Sequence, residues 1–135
     1  WVYNACCLVI DHDEIEHIHN AFLVYKGLLP FRDFVEVHQP GLWFAIAPLF
    51  AISSDPVFIL MLVRVIFVIL FAGTLWFLYR IIESNLNDIG PAAFVVIAAG
   101  ASVLYARSFL EVRNDGPMVF LIVLAIWFLV RYLRT

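Results

Sequence analysis

Long apolar blocks alternate with short polar ones along this chain. Three of the apolar blocks, residues 57–80, 89–108 and 117–133, predict membrane-spanning helices, because roughly 17 to 25 residues of helix cross a bilayer. Residues 1–10 are apolar but too short to span, and indicate the tail of a first transmembrane helix. Residues 41–52 are also too short and contain Pro48, which favours a helix lying at the membrane surface.

The pattern therefore predicts an all-α integral membrane protein with about three transmembrane helices plus the tail of a first one. Residues 1–135 form a single membrane domain, and residues 11–56 form a loop with two interfacial helices, 13–26 and 41–52. We expect both chain ends to be cuts through a longer protein.

Composition supports a membrane protein and excludes some partners. Hydrophobic residues make up 64% of the chain and charged residues 14%, whereas soluble domains carry about a quarter charged residues. The net charge of −3 leaves no basic surface for phosphates, so no nucleic-acid partner is expected. Lysine and arginine occur on both predicted sides of the membrane and assign no orientation.

The polar loop begins with a predicted amphipathic helix. Ile15, Ile18, Phe22 and Tyr25 recur at steps of three and four residues, which is one helical stripe, and Gly27 is suited to end the helix. A second set of residues falls on another face, where acids and imidazoles can converge: Asp13, Glu16, His17 and Asn20.

Simpler interpretations of these polar residues stay open. Asp13 and Glu16 fit a helix-capping pattern, and acids on such a loop are often merely solvated. A metal centre built from the four histidines is disfavoured, because His17 and His19 would point to different helix faces. Arg64 lies within a predicted span, so it needs either a partner or a polar cavity, or it extends to the membrane surface.

Two sequence elements occur in a distinctive order. The first comprises Asp13-Glu14, Gly27, Pro30, Arg32-Asp33, Glu36, His38 and Pro40, and the second is Glu111-Val112-Arg113-Asn114-Asp115-Gly116-Pro117. This ordered set resembles the GT-C superfamily of membrane glycosyltransferases. The similarity is greatest to the bacterial branch with the aminoarabinose transferases, the Rgt lipopolysaccharide-core enzymes and the protein O-mannosyltransferases.

The resemblance implies an enzyme that moves a sugar from a polyprenyl phosphate or diphosphate carrier to an acceptor hydroxyl. The reaction would take place on the extracytoplasmic side of a bacterial or archaeal plasma membrane, with membrane lipids as neighbours. Asp13, rather than Glu14, would be the general base. Other residues would bind phosphate (Arg64, Arg107, Arg113, His38) or a divalent metal ion (Glu14, Glu36, Asp115). The GT-C enzymes have many more spans, so this fragment is expected to be inactive alone.

Two other function classes remain as alternatives. A transporter or channel fragment would place acids within its spans, whereas the three predicted spans contain none. A non-catalytic membrane scaffold subunit would leave the density of acids and histidines in the loop unexplained. The sequence identifies neither the sugar nor the acceptor.

Overall fold

The computed structural model describes residues 10–86, 88–102 and 109–134. Within these residues the chain is helical and contains no β-strand, as the sequence predicts. In chain order the elements are α1 (His12–Tyr25), α2 (Gly41–Ile46), a 3-10 helix (Ala47–Ala51), α3 (Pro56–Leu86), α4 (Ile89–Ala101) and α5 (Asp115–Leu133).

These elements group into two compact units, which are described separately. The first unit comprises the described residues up to Ile66 together with Glu111–Asn114. The second comprises the described parts of residues 67–110 together with the described residues from Asp115 onward. Helix α3 contributes its N-terminal part to the first unit and the remainder to the second.

Asp11 caps the start of α1, so the capping alternative that the sequence left open for Asp13 is not the one the structure shows. Its side chain accepts a hydrogen bond from the His12 backbone N–H at 2.6 Å, and the Glu14 carboxylate accepts one from the Asp11 backbone N–H at 3.2 Å. The pair forms a capping box two residues earlier than that alternative. At the other end, Gly27 adopts φ +86°, the left-handed conformation that favours glycine after a helix.

The predicted helix at 41–52 is present and changes type partway. Its first six residues are α-helical, and from Ala47, just before Pro48, it continues as a 3-10 helix to Ala51. Trp43 and Phe50 on this segment are buried, and the Phe50 ring lies 5.3 Å from the Phe22 ring of α1. The segment 41–51 therefore packs against α1 through aromatic side chains.

Among the residues that the structure describes, two helices are long and apolar enough to cross a membrane, which confirms the coarser part of the sequence prediction. Helix α3 has 31 residues, or about 46 Å at 1.5 Å per residue, and α5 has 19. Helix α4 has 13 residues and ends where Ser102 becomes extended. The remainder of the predicted 89–108 span and residues 1–9 of the first-helix tail lie outside the described residues, so the number of spans stays a prediction.

In the second unit an aromatic contact packs α3 against the residues that precede α5. The rings of Phe71 and Phe109 lie 5.2 Å apart and both side chains are buried. Gly116 lets the first turn of α5 pack closely against Phe109, because a Cβ at this position would lie 3.0 Å from the Phe109 carbonyl oxygen.

Candidate functional site

The polar face of α1 forms an ion-pair network with the segment that precedes α5. The Arg113 Nη2 lies 2.9 Å from Asp11 Oδ2 and 3.0 Å from Asp13 Oδ2, while its Nε lies 3.3 Å from Glu111 Oε2. Burial alone would lower the pKa of Arg113, but Asp13, Asp11 and Glu111 raise it above its ordinary value. Arg113 therefore stays cationic and holds three carboxylates around one guanidinium.

A fully buried ion pair lies below this network. Arg64 donates to Glu14 through Nε, 3.0 Å from Oε1, and through Nη2 to Oε2, and neither side chain is exposed. Glu14 Oε1 also accepts the Val112 backbone N–H at 3.0 Å. Burial alone would raise the pKa of Glu14, but these hydrogen bonds lower it below the ordinary value of 4.5. Arg64 therefore has a buried partner, which is one of the alternatives that the sequence left open for it, and that partner is Glu14.

Beside the network, two acids and an imidazole meet. His38 Nδ1 lies 2.9 Å from Glu16 Oε1 and 3.5 Å from Glu36 Oε1. The Val37 N–H and the Asn20 amide donate to Glu36 and lower the pKa of its carboxyl, so this acid is held ionised.

His17 is a buried histidine of α1 that lies next to His38 and is influenced by charges of both polar groups, the Arg113 network and the Glu16–Glu36–His38 cluster. Its Nδ1 accepts a hydrogen bond from the Trp43 indole N–H at 2.9 Å, and its ring lies 5.0 Å from that of His38. Burial, followed by the nearby charge of His38, lowers the pKa of His17, whereas Asp13 and Glu36 act in the opposite direction. Burial therefore favours the neutral imidazole, although Asp13 and Glu36 favour its charged form.

The predicted site residues divide into those that meet here and those that do not. Asp13, Arg113, Glu36 and His38 lie in the first unit around His17, as described above. Arg64 and Glu14 also lie in this unit, where each is buried against the other. Asp115 is exposed in the first turn of α5 in the second unit, and Arg107 lies outside the described residues. The predicted convergence of Asp115 with Asp13 and Glu36 stays a prediction.

Three acids that the sequence analysis gave no catalytic or binding role belong to the site. Asp11 and Glu111 contact Arg113, and Glu16 contacts His38. The spacing gave a usable signal only for Glu16, which lies three residues after Asp13 on the same helical face. Nothing in the sequence pattern links Asp11 to Glu111, because only the fold brings them together.

The described fold and site define an all-helical protein, with two helices that could cross a membrane and an acidic, imidazole-containing site beside the N-terminal helix. No family model, curated protein or solved structure matches this chain.

Proposed function

We propose that this chain is the N-terminal part of an integral membrane glycosyltransferase that uses a polyprenyl-phosphate-linked sugar. In this proposal α3 and α5 cross the membrane, and the part of the first unit outside α3 lies on the extracytoplasmic side. The acceptor is a hydroxyl group, and the rest of the carrier-binding cavity belongs to further spans of the complete enzyme.

The observation that carries the proposal is the ion pair between Asp13 and Arg113, at 3.0 Å. These residues come from the two separate sequence elements on which the GT-C resemblance rests. The residues next to them in sequence are also in contact. The Val112 backbone N–H donates a hydrogen bond to Glu14, which lies 98 positions earlier in the chain. Chemistry shared between a base on the first element and a cation on the second requires this proximity.

Each residue has a role that fits its surroundings. The Asp13 carboxylate, about a third exposed, takes the proton from the acceptor hydroxyl as its oxygen attacks the anomeric carbon. The bond from that carbon to the carrier phosphate breaks, and the phosphate leaves with the electron pair. Arg113 would balance this negative charge. When the lipid-linked sugar binds, Arg113 would turn from Asp13 to the phosphate of the carrier. The Asp13 carboxylate would then be able to accept a proton only when the sugar donor is bound.

A divalent metal ion, if the enzyme uses one, would fit a different set of residues from the one the sequence indicated. Glu16, Glu36 and His38 offer ligand atoms that all lie within 4.8 Å of one another. Two carboxylates and an imidazole suit zinc or manganese. Glu14 is less suited, since both of its oxygens already accept hydrogen bonds inside the protein.

The test compares two conservative variants at the start of α1 in the complete enzyme. Asp13→Asn removes the base and should lower sugar transfer from the lipid-linked donor by about 10²-fold or more. Asp11→Asn is the matched control: it contacts the same arginine, and asparagine caps a helix about as well as aspartate. Asp11→Asn should therefore retain most activity.

Both variants should insert into the membrane normally. Near-normal sugar transfer by Asp13→Asn would show that Asp13 is not the base. An equal loss of transfer in both variants would indicate that Asp11 and Asp13 serve only to position Arg113. If the complete protein transfers no sugar but conducts or transports ions, the transporter alternative replaces the proposal. A non-catalytic scaffold would show neither activity nor sensitivity to either substitution.

A further inference from the structure

Three arginines line one cavity in the second unit. It lies near the C-terminal ends of α3 and α5 and has a volume of about 410 Å³. Its lining consists of Arg80, Ser84, Trp127, Val130, Arg131 and Arg134. The described lining thus carries three formal positive charges and no carboxylate.

The neighbours of these arginines hold their guanidinium groups in position. Arg80 pairs with Glu83 at 3.0 Å in an exposed contact, and Arg134 donates to the neutral Asn85 amide at 3.0 Å. Arg131 lies over the Trp127 ring, with its guanidinium carbon 5.3 Å from the ring centroid. A cation–π contact of this kind fixes the direction of the guanidinium.

We propose that this cavity binds the phosphate head group of an anionic membrane phospholipid. Like charges repel when they converge, and a phosphate relieves that repulsion by accepting several guanidinium hydrogen bonds at once. Trp127 suits the level of lipid head groups, where aromatic side chains concentrate, and Val130 offers an apolar wall for the start of an acyl chain.

The position of the cavity favours a lipid over free phosphate as the source of the anion. In the membrane arrangement proposed above, the ends of α3 and α5 lie at the bilayer surface, where phospholipids are abundant. The inference rests on that arrangement but not on sugar transfer. It would survive loss of the glycosyltransferase proposal if the two helices still span the membrane.

The test measures lipid enrichment around the full chain. The protein is reconstituted in nanodiscs that contain equimolar phosphatidylglycerol and phosphatidylcholine, and the co-purified lipids are counted by native mass spectrometry. Because each arginine near the surface attracts anionic lipid, we expect bound phosphatidylglycerol to exceed phosphatidylcholine roughly tenfold. Substituting all three arginines, Arg80→Gln, Arg131→Gln and Arg134→Gln, should reduce this ratio to about one.

Two controls separate the site from general charge attraction. Substituting Lys26→Gln and Arg32→Gln removes cations from the first unit and should leave the enrichment unchanged. For the unaltered chain, salt near 1 M shortens the screening length to about 3 Å and should abolish the enrichment even if the triple variant fails to fold. Inorganic phosphate at millimolar concentration should not displace the lipid.

Three results would overturn the inference. Enrichment could persist in the triple variant, or it could fall as much in the Lys26 and Arg32 variant. Alternatively, inorganic phosphate could bind the cavity while the protein shows no preference between the two lipids, which would make free phosphate the ligand.

Discussion

The buried pair of Glu14 and Arg64 should be one of the strongest single determinants of stability in the first unit. Glu14→Gln keeps the shape of the side chain but removes the charge facing a guanidinium that is fully buried. The new amide can no longer accept all the hydrogen bonds that the two carboxylate oxygens accept from Arg64, Val112 and Asp11. One of those donors would face an N–H group instead of an oxygen.

The magnitude follows from the burial. Removing one partner of a buried ion pair costs about 3–5 kcal/mol, because the remaining charge stays away from water. The comparison is Glu83→Gln, which breaks the exposed pair with Arg80 and should cost less than about 1 kcal/mol. The free energy of unfolding is measured in detergent by circular dichroism during titration with a denaturing detergent.

A double substitution tests whether the charge, rather than the shape, is responsible. Combining Glu14→Leu with Arg64→Met replaces both charges with apolar groups, which is often neutral for a buried pair. Recovery should be partial, because the Val112 and Asp11 N–H groups lose their acceptor at about 1–3 kcal/mol each. The reasoning is refuted if Glu14→Gln costs no more than Glu83→Gln, or if Arg64→Met alone is as stable as the double variant.

Two further predictions concern the imidazole groups. His17 has a lowered pKa, so the unfolded chain binds its proton more readily, and stability should fall as the pH drops through the ordinary value of 6.5. His17→Gln, measured by the same unfolding assay, should flatten that dependence. If a divalent ion binds Glu16, Glu36 and His38, elemental analysis should find about one ion per chain, and both a chelator and Glu36→Gln should remove it.

Each of these experiments has a matched control. His12→Gln is the control for His17→Gln, because it alters an exposed histidine on the same helix. An equal flattening by both histidine variants would contradict the role given to burial. For the metal, Glu83→Gln should retain the ion. A protein that binds no divalent ion, or a Glu36→Gln variant that keeps it, would remove the metal from the proposal.

The helices were predictable where one local signal dominated. The apolar stripe from Ile15 to Tyr25 and the left-handed Gly27 gave α1 to within a residue at each end. Helix α3 continues to Leu86, six residues beyond the predicted end of the span at residue 80 and beyond its apolar part. Contacts one turn apart accompany this extension, including the pair of Arg80 with Glu83, and hydropathy does not detect them.

The capping register and the roles of the acids were not predictable. Asp11 with Glu14 and Asp13 with Glu16 both match the capping pattern, so the sequence offers two equivalent starts for the helix. What distinguishes them in the structure is Arg64, 50 residues away, which engages Glu14 and leaves Glu16 to contact His38. Likewise, the sequence places Trp43 in an apolar block and indicates no polar role for it. In the structure its indole N–H donates a hydrogen bond to His17 Nδ1.

The order of Glu14 and Arg64 along the chain bears on how the protein is made. An arginine costs about 2.5–3.5 kcal/mol at the centre of an inserting helix and less toward its end. Arg64 is the ninth residue of α3, so part of this cost applies in the proposed arrangement. Glu14 precedes Arg64 by 50 residues, so it has already left the ribosome when α3 emerges. The Glu14 carboxylate is therefore synthesised before the Arg64 guanidinium with which it pairs. Moving the acid downstream of α3 would leave the nascent helix to insert without its counter-charge.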